Sequence, residues 1–275
     1  MTNTTNTSRP YNVCVFDSGL GGLSVARELR QQAPDISITY CADNAGFPYG
    51  NLSPDDIIDR TSKVINALIA REQIDAVVVA CNTASTVVMG ALRERFPLPF
   101  VGVVPAVKPA AEMTRTGTIS ILATPGTIER DYTQNLIEQF ASNCHVTPVA
   151  CRNLAHLCEV HLSGQPVEQA DIILEIAPAF VEHEGGRTDT VVLGCTHYPL
   201  VIEMLEYASP WPVWFVNPSA AVVRRLLDVL GYKGPVKEAI NSINQACLTD
   251  SKGLDPALSA VFLREGFQNL TILSL

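Results

Sequence analysis

The chain has 275 residues, of which 47% are hydrophobic and 17% are charged, and its formal net charge is −9. This composition predicts one large or two modest globular domains, and the acidic balance argues against a general nucleic-acid or anionic-membrane binder. No apolar run approaches the roughly 18 residues of a membrane span, and the N-terminus lacks the apolar core of a secretory signal, so we expect a soluble, cytoplasmic protein. The eight cysteines include no CxxC pair, which favours reduced thiols over a disulfide framework.

The first half of the chain alternates between predicted strands and helices. Residues 1–11 are predicted to be a disordered leader, YNVCVF is a buried strand that ends at Asp17, and SGLGG leads into an amphipathic helix. ISITYCAD is a second strand, and the next helix has Ser53 as its predicted N-cap and Pro54 at its first position. DAVVVAC is a third strand, followed by a helix through residues 86–95 and a short strand, PFVGVV.

A second series of elements begins near Gly117. TISILAT is a strand that stops at Thr124, PGT is a turn, and IERDYTQNLIEQFA is a helix. HVTPVAC is a strand, NLAHLCEVHL and DIILEIAPAFVEHE are helices, and DTVVLGC is a strand. WPVWFVNPSAAVVRRLLDVLG predicts a strand and a capped helix, and the tail from Lys233 to Leu275 predicts a short strand, a helix around ALSAVFLREGF and a final strand, TILSL.

The order of these elements predicts an α/β fold with parallel sheets covered on both faces. The two series match, because YNVCVFDSGLGG corresponds to TISILATPGT and DAVVVACNTAS corresponds to DTVVLGCTHYP. We therefore expect two similar α/β domains related by a pseudo-twofold axis. The first is discontinuous, with residues 12–106 and 215–275, because the tail is expected to return to it; the second has residues 107–214.

Two cysteines follow predicted strands at matching places, Cys81 in VVVACNTAS and Cys195 in VVLGCTHYP. Ligands of parallel sheets gather at the carboxyl ends of strands. A thiol at the start of the following helix lies near unpaired N–H groups, which predicts a lowered pKa and a reactive thiolate.

The matching of the two thiols points to a particular reaction class. One thiol alone suggests covalent catalysis with a histidine base. Two thiols from similar halves suggest an acid/base group on each side of a substrate, which can remove a proton from one face of a carbon and return one to the other face. This pattern predicts racemisation or epimerisation. Hydrogen-bond donors at the starts of helices suit an anionic substrate. The predicted donors are Ser18, Asn82, Thr83 and Thr196.

Six motifs together resemble one enzyme family: FDSGLGGLSV, PYG, ACNTAS, VGVVPA, LATPGT and GCTHYPL. They occur in order over about four fifths of the chain, from Val13 to Arg225, and this set closely resembles the glutamate racemases. The resemblance implies a cofactor-independent, two-thiol racemase with its active site at the interface between two α/β domains. Such an enzyme interconverts L- and D-glutamate for peptidoglycan synthesis.

The resemblance also implies roles for individual residues. Cys81 deprotonates D-glutamate with the assistance of Asp17, and Cys195 deprotonates L-glutamate with the assistance of His197 and Glu159. The residues expected to line the substrate pocket are Asp17, Ser18, Pro48, Tyr49, Gly50, Asn82, Thr83, Thr124, Thr196 and His197.

Two further positions bear on this resemblance. Asp43 matches another acidic residue of the family. The segment FVNPSAAVVRR departs from the usual pattern, because Asn217 and Pro218 stand where an aspartate and a small residue are usual. Asn217 keeps the hydrogen bonding of a helix start but lacks the charge.

Several alternatives stay open at this point. Racemases of aspartate or hydantoins and one-thiol decarboxylases belong to the same superfamily, and a non-catalytic amino-acid-binding regulator with the same fold is an alternative of a different class. Gly19, Gly21 and Ser24 only partly imitate a dinucleotide fingerprint. Cys151, Cys158 and His161 share a helix face from which His156 points away, so we expect no zinc site and no other cofactor. The sequence leaves open whether the enzyme is a monomer or a homodimer and whether a cell-wall precursor regulates it.

Overall fold

The computed structural model describes residues 9–235, 242–251 and 256–275. Its first series of elements comprises β1 (Asn12–Asp17), α1 (Leu23–Gln32), β2 (Ser37–Ala42), α2 (Pro54–Arg71), β3 (Ala76–Val79), α3 (Asn82–Arg95), β4 (Phe100–Gly102) and α4 (Val107–Met113). The second series comprises β5 (Thr118–Ala123), α5 (Pro125–Ile128), α6 (Asp131–Phe140), β6 (His145–Ala150), α7 (Leu154–Leu162), α8 (Gln169–Ile176), β7 (Glu182–His183), β8 (Gly186–Arg187), β9 (Thr190–Leu193), α9 (Ile202–Ala208) and β10 (Trp214–Val216). The last elements are α10 (Ser219–Leu230), β11 (Asn244–Leu248), α11 (Pro256–Arg264) and β12 (Asn269–Ile272).

The predicted α/β class is confirmed by two parallel sheets. Among the described residues, the first sheet has the strand order β12-β11-β2-β1-β3-β4, and the second has the order β10-β9-β5-β6. The order β2-β1-β3-β4 in the first sheet repeats as β6-β5-β9-β10 in the second. This equivalence places the loops after β1 and β3 at the same positions as the loops after β5 and β9.

Helices cover both faces of each sheet. One face of the first sheet packs against α1, α10 and α11, and the other face packs against α2 and α3. In the second sheet, α7, α8 and α9 cover one face, and α4 and α6 cover the other. Strands β1, β3, β5 and β9 are buried along most or all of their length, as expected for parallel strands with both faces covered. In the part of the chain that the structure describes, no helix combines the length and apolar character needed to cross a bilayer.

The chain crosses between the sheets twice, once after β4 and once after β10. Because β10 pairs with β9 through Trp214, Phe215 and Val216, these residues belong to the second sheet. Helix α10 then packs against α1, and β11 pairs with β2 in the first sheet. We propose that each sheet and its helices form one domain, with the second crossing at Asn217 and Pro218. The side-chain oxygen Oδ1 of Asn217 accepts the N–H of Ser219, the first residue of α10, at 3.0 Å, so Asn217 keeps the hydrogen bonding of a helix start without the charge of an aspartate.

Most predicted elements are present, and the differences have local causes. Residues 171–184 do not form one helix: α8 ends at Ile176, because Pro178 lacks the N–H that would continue it, and a two-strand hairpin follows. The hairpin turn uses positive φ angles of 48° at Glu184 and 81° at Gly185. PGT begins the short helix α5 rather than a simple turn. The predicted N-cap at Ser53 is confirmed, since its side chain accepts the Asp56 N–H at 3.2 Å.

The predicted disordered leader, residues 1–11, includes three residues that the structure describes, Arg9 to Tyr11. Residues 1–8 of it lie outside the described residues. Arg9, however, forms two hydrogen bonds with the Asp75 carboxylate at 2.9 and 2.7 Å, and the Tyr11 hydroxyl donates to the Leu230 carbonyl at 3.1 Å. The last part of the predicted leader is therefore ordered against the first sheet.

Candidate active site

The loops at the carboxyl ends of both sheets enclose one cavity. The predicted residues that line it are Ser18, Pro48, Tyr49, Gly50, Cys81, Asn82, Thr83, Thr124, Cys195, Thr196 and His197. Three lining residues were not predicted, namely Phe47, Ala155 and Gly194. The cavity therefore has a thiol from each sheet in its wall, and only the predicted Asp17 and Glu159 lie behind that wall.

Cys81 occupies the junction between β3 and α3. Cys81 is the N-cap residue of α3 and is 7% exposed. Its sulfur lies 3.7 Å from the Ser18 hydroxyl. The prediction of a lowered pKa is wrong, because burial, and next the nearby charge of Asp17, raise the pKa of Cys81 to about 12. Hydrogen bonds from the Ala84 N–H and Ser18 act in the opposite direction but do not outweigh burial. Cys81 therefore holds a proton at neutral pH.

Cys195 follows β9 and contacts a histidine. Its sulfur is 3.6 Å from Nδ1 of His197, and Nε2 of His197 is 2.7 Å from Oε1 of Glu159. Burial lowers the pKa of His197, but its hydrogen bonds to Cys195 and Glu159 outweigh burial and hold the pKa well above its usual value. A cationic imidazole at this distance is a suitable counter-ion for a thiolate on Cys195.

Two carboxylates behind the cavity wall connect the two halves of the molecule, where each half is one large sheet with its helices. Asp17, at the end of β1, accepts the Gly19 N–H at 2.7 Å and the Thr196 hydroxyl at 3.0 Å. Glu159, on α7, accepts the Leu20 N–H at 2.6 Å. Each half therefore supplies an acid that binds the loop of the other half beside a thiol. Burial, the largest cause, raises the pKa of Asp17 to about 6, although the charge of His197 opposes this rise.

The glycine turn after β1 permits the close approach of the second half. A Cβ on Gly19 would lie 2.2 Å from Oε1 of Glu159, and a Cβ on Gly21 would lie 2.6 Å from both Nδ1 of His197 and Oγ1 of Thr196. Real Cβ atoms do not approach other atoms so closely. These glycines therefore make room for the side chains beside Cys195, which explains them without a dinucleotide.

Hydroxyl and amide groups supply polar contacts in the cavity. Oγ1 of Thr83 is 2.9 Å from Oγ1 of Thr124, which joins the starts of α3 and α5 across the two halves. Neither polar atom of the buried Asn82 side chain has a hydrogen-bond partner within the described ranges. Because buried amides are almost always paired, this one is suited to a polar ligand.

The remaining candidates lie outside the cavity. Asp43 accepts the Tyr49 hydroxyl at 2.5 Å and so supports the cavity wall from behind. Cys151 and Cys158 are buried in the apolar core of the second half. Among residues 9–235, 242–251 and 256–275, no group of three or more metal-ligating side chains is close enough to hold a metal ion.

Comparisons with known proteins agree with this geometry. Residues 22–226 match the family model described as Asp/Glu/Hydantoin racemase. The glutamate racemase of Brucella anthropi is 44% identical over 256 residues, which are 93% of this chain and 91% of the relative. The chain belongs to this racemase family.

Solved structures of family members share the whole architecture. The structure of Escherichia coli glutamate racemase in complex with L-glutamate and the activator UDP-MurNAc-Ala has a TM-score of 0.87 and 40% identity. The comparison covers 97% of this chain and 98% of the E. coli chain. A glutamate racemase from Bacillus anthracis has a TM-score of 0.78 and 28% identity, with 96% and 97% of the two chains covered. The racemase fold therefore extends over nearly all of the chain.

The unpredicted lining residues carried weak sequence signals. Phe47 directly precedes PYG, and its ring centroid lies 5.7 Å from that of His197. Gly194 directly precedes Cys195, and a Cβ there would lie 2.9 Å from both the Ala123 Cβ and the Leu122 carbonyl oxygen. Adjacency to a motif could have identified these two residues. Ala155 has no such signal, because only the packing of α7 brings it to the cavity.

Proposed function

We propose that this racemase interconverts L- and D-glutamate through Cys81 and Cys195, without a cofactor. The observation that carries the proposal is the pair of thiols that enter one buried cavity from equivalent strand ends of the two sheets. The Brucella and E. coli relatives, which are named as glutamate racemases, support glutamate as the substrate.

The two thiols differ in a way that suits opposite roles. Cys81 is protonated, whereas Cys195 adjoins a cationic His197. In the forward direction, a thiolate on Cys195 removes the α-proton of L-glutamate, and the Cys81 thiol gives its proton to the opposite face. D-glutamate then leaves with the charge on Cys81 and the proton on Cys195. The reverse reaction starts from this second protonation state.

The carboxylates and the cavity donors reduce the energetic cost of these steps. Glu159 keeps His197 oriented and charged, and the charge of Asp17 raises the pKa of Cys81 and so helps to keep this thiol in the protonated form that donates to the intermediate. An α-hydrogen is much less acidic than a thiol, so developing negative charge needs oriented donors in a site that excludes water. We assign this task to Asn82, Thr83, Thr124 and Thr196, with Ser18 and the segment Pro48 to Gly50 completing the substrate pocket.

Isotope incorporation tests the two-thiol assignment. The wild type, Cys81→Ala and Cys195→Ala are incubated with each glutamate isomer in deuterated water, and products are analysed by NMR and chiral chromatography. We expect inversion with α-deuterium in the wild type and a loss of about 10³-fold in racemisation in both variants, within the range for removal of an acid/base group. Residual exchange should enter only L-glutamate in Cys81→Ala and only D-glutamate in Cys195→Ala.

The half-buried Cys144, which does not line the cavity, provides a matched control. Cys144→Ala should racemise glutamate at the wild-type rate. Wild-type racemisation in either cavity variant would refute the two-thiol assignment. A wild type that racemises aspartate and not glutamate would support the alternative substrate, and binding without turnover would support a non-catalytic regulator.

We also propose that the product serves peptidoglycan synthesis and that a cell-wall precursor regulates the enzyme. The E. coli relative was solved with UDP-MurNAc-Ala, which is named as its activator. In this chain, an apolar cleft of about 290 Å³ lies beside the two crossings and has Lys108 and Arg225 in its wall. These two cations suit a diphosphate group. The cytoplasmic location stays a prediction.

A further inference from the structure

Asp43, at the end of β2, is fully buried and accepts hydrogen bonds from three side chains. The Tyr49 hydroxyl donates to Oδ2 at 2.5 Å, and the Thr249 hydroxyl donates to Oδ1 at 2.5 Å. Arg60 donates from Nη2 to Oδ1 at 2.7 Å and also from Nε to Oδ2. Asp43 therefore joins the cavity residue Tyr49 to α2 and to the residue that follows β11.

The end of β11 also binds the start of the cavity loop, which we define as residues 44–52. Oδ1 of Asn44 accepts the N–H groups of Thr249 and Asp250, both at 3.0 Å, and Nδ2 of Asn44 donates to the Asp250 carbonyl at 3.1 Å. The Ala45 N–H donates to the Thr249 hydroxyl at 3.2 Å. The C-terminal part of the chain thus holds the cavity loop through side-chain and backbone groups.

The Arg60 side chain passes directly beneath the cavity loop. A Cβ on Gly46 would lie 2.3 Å from Nε of Arg60 and 2.8 Å from Cε1 of Tyr49, so glycine is needed for this contact. Burial, followed by the charge of Asp43, raises the pKa of Tyr49 well above its usual value. Tyr49 therefore keeps its proton and remains a donor to Asp43.

The cavity loop forms one wall of the substrate cavity and meets the second half of the molecule. Phe47, Pro48, Tyr49 and Gly50 all line the cavity. A Cβ on Gly126, in α5, would lie 3.4 Å from the Gly50 carbonyl oxygen, so the loop and α5 are in close contact. A displacement of this loop would change the width of the cavity but would leave both thiols at the ends of their own strands.

We propose that Arg60 and Thr249 are positioning residues for substrate binding, which act through Asp43 to hold Tyr49 and Gly50 in place. This proposal rests on the proposed racemase function. Ordering a loop before the substrate arrives lowers the cost of binding, so loss of the network weakens binding. The thiols lie elsewhere, so the loss appears mainly in KM, with kcat changed much less.

A matched control is available on the same helix, α2. Arg71, also on α2, donates from Nη2 to the Thr271 hydroxyl on β12 at 2.9 Å. This pair joins α2 to the C-terminal strands by the same types of group. Neither residue lines the cavity.

The test measures KM and kcat for both glutamate isomers in Thr249→Val, Thr249→Ser, Arg60→Gln and Arg71→Gln. We expect KM to rise about tenfold in Thr249→Val and in Arg60→Gln, with kcat within about threefold of the wild type, as for lost ground-state binding. Thr249→Ser retains the hydroxyl and should rescue KM, and Arg71→Gln should leave it unchanged. Thermal unfolding identifies any loss of folding, and Thr249→Val tests the network without leaving a buried charge unpaired.

Hydrogen–deuterium exchange of the cavity loop separates this proposal from the proposed function. Backbone amides of residues 44–52 should exchange faster in Thr249→Val than in Thr249→Ser or Arg71→Gln, whether or not the enzyme acts on glutamate. An inactive wild type would refute the racemase function alone. Unchanged exchange in Thr249→Val, an unchanged KM in an active enzyme, or an equal rise in KM in Arg71→Gln would refute the positioning role.

Discussion

Asp17 illustrates, at the scale of one residue, how a functional group can reduce stability. Its carboxylate is fully buried, and burial is the main reason that its pKa rises from 3.8 to about 6. Because the folded pKa is above the unfolded one, ionised Asp17 destabilises the fold. This cost is absent below the unfolded pKa near 3.8, grows as the pH rises and is complete above about 6.

Asp17→Asn should therefore stabilise the protein and slow the enzyme. Replacing the charge should raise the free energy of unfolding at pH 7 by about 1 to 3 kcal/mol, since each pKa unit corresponds to about 1.4 kcal/mol. Racemisation should slow by about tenfold or more, because an acid/base aid to Cys81 is lost. Urea unfolding at pH 7 and pH 4 tests this: the stability difference should nearly vanish at pH 4. An equal difference at both pH values would contradict the burial of an ionised Asp17.

The glycine turn between β1 and α1 acts at the scale of an element. Its backbone donates to both acids, through Gly19 to Asp17 and through Leu20 to Glu159. Tyr40 fixes the same turn from the core, because its hydroxyl donates to the Gly19 carbonyl at 2.7 Å. The turn thus couples the position of the first sheet to the histidine and threonine beside Cys195.

Gly21→Ala should disturb this coupling. A Cβ 2.6 Å from His197 and Thr196 must displace one of them, so we expect a loss of about 1 to 3 kcal/mol of stability and a fall in kcat of tenfold or more. Gly90→Ala is the control, because a Cβ on Gly90 in α3 meets no atom within 4 Å. That variant should gain about 0.5 to 1 kcal/mol and keep its activity. Denaturant unfolding measures the stability of both variants, and racemisation assays measure their kcat. A wild-type kcat in Gly21→Ala would contradict the close approach of His197 and Thr196 to this glycine.

The two halves of the molecule are joined by two chain crossings and by the contacts around the cavity. The cleft with Lys108 and Arg225 lies beside these crossings, on segments that include β4, α4, α6 and α10. Nζ of Lys108 also lies 5.8 Å from the ring centroid of Phe140. A ligand that contacts these segments together can favour one arrangement of the two halves, which is a physical route to activation.

UDP-MurNAc-Ala should therefore raise the kcat/KM of the wild type for L-glutamate. We expect activation within the roughly 5- to 150-fold range typical of coupled sites. Lys108→Gln and Arg225→Gln should increase the activator concentration needed by about tenfold, since charge-assisted hydrogen bonds to phosphate are strong. Arg224→Gln, a neighbour that does not line the cleft, should respond as the wild type does. Steady-state kinetics with the nucleotide tests this prediction. Equal activation of all variants would exclude the cleft as the site that binds the activator.

Local pattern in the sequence was enough to predict the α/β class and the chemistry-bearing strand ends. Buried strands that stop at Asp17, Cys81, Thr124 and Cys195 place those residues at one edge of each sheet, whatever the details of packing. The repeated order of elements predicted two similar halves. The hairpin after α8 was missed because the helical pattern of its apolar residues outweighed the signals from Pro178 and Gly185.

Only the tertiary structure shows the contacts that join each acid to the opposite half of the molecule. Asp17 binds Thr196 and Glu159 binds Leu20, contacts that depend on how two separately built sheets face each other. The high pKa of Cys81 likewise comes from burial, which outweighs the local effect of a helix start. Sequence periodicity reports the burial of an element within its own sheet, whereas the burial of one thiol and the contacts across the cavity depend on residues that are distant in the sequence.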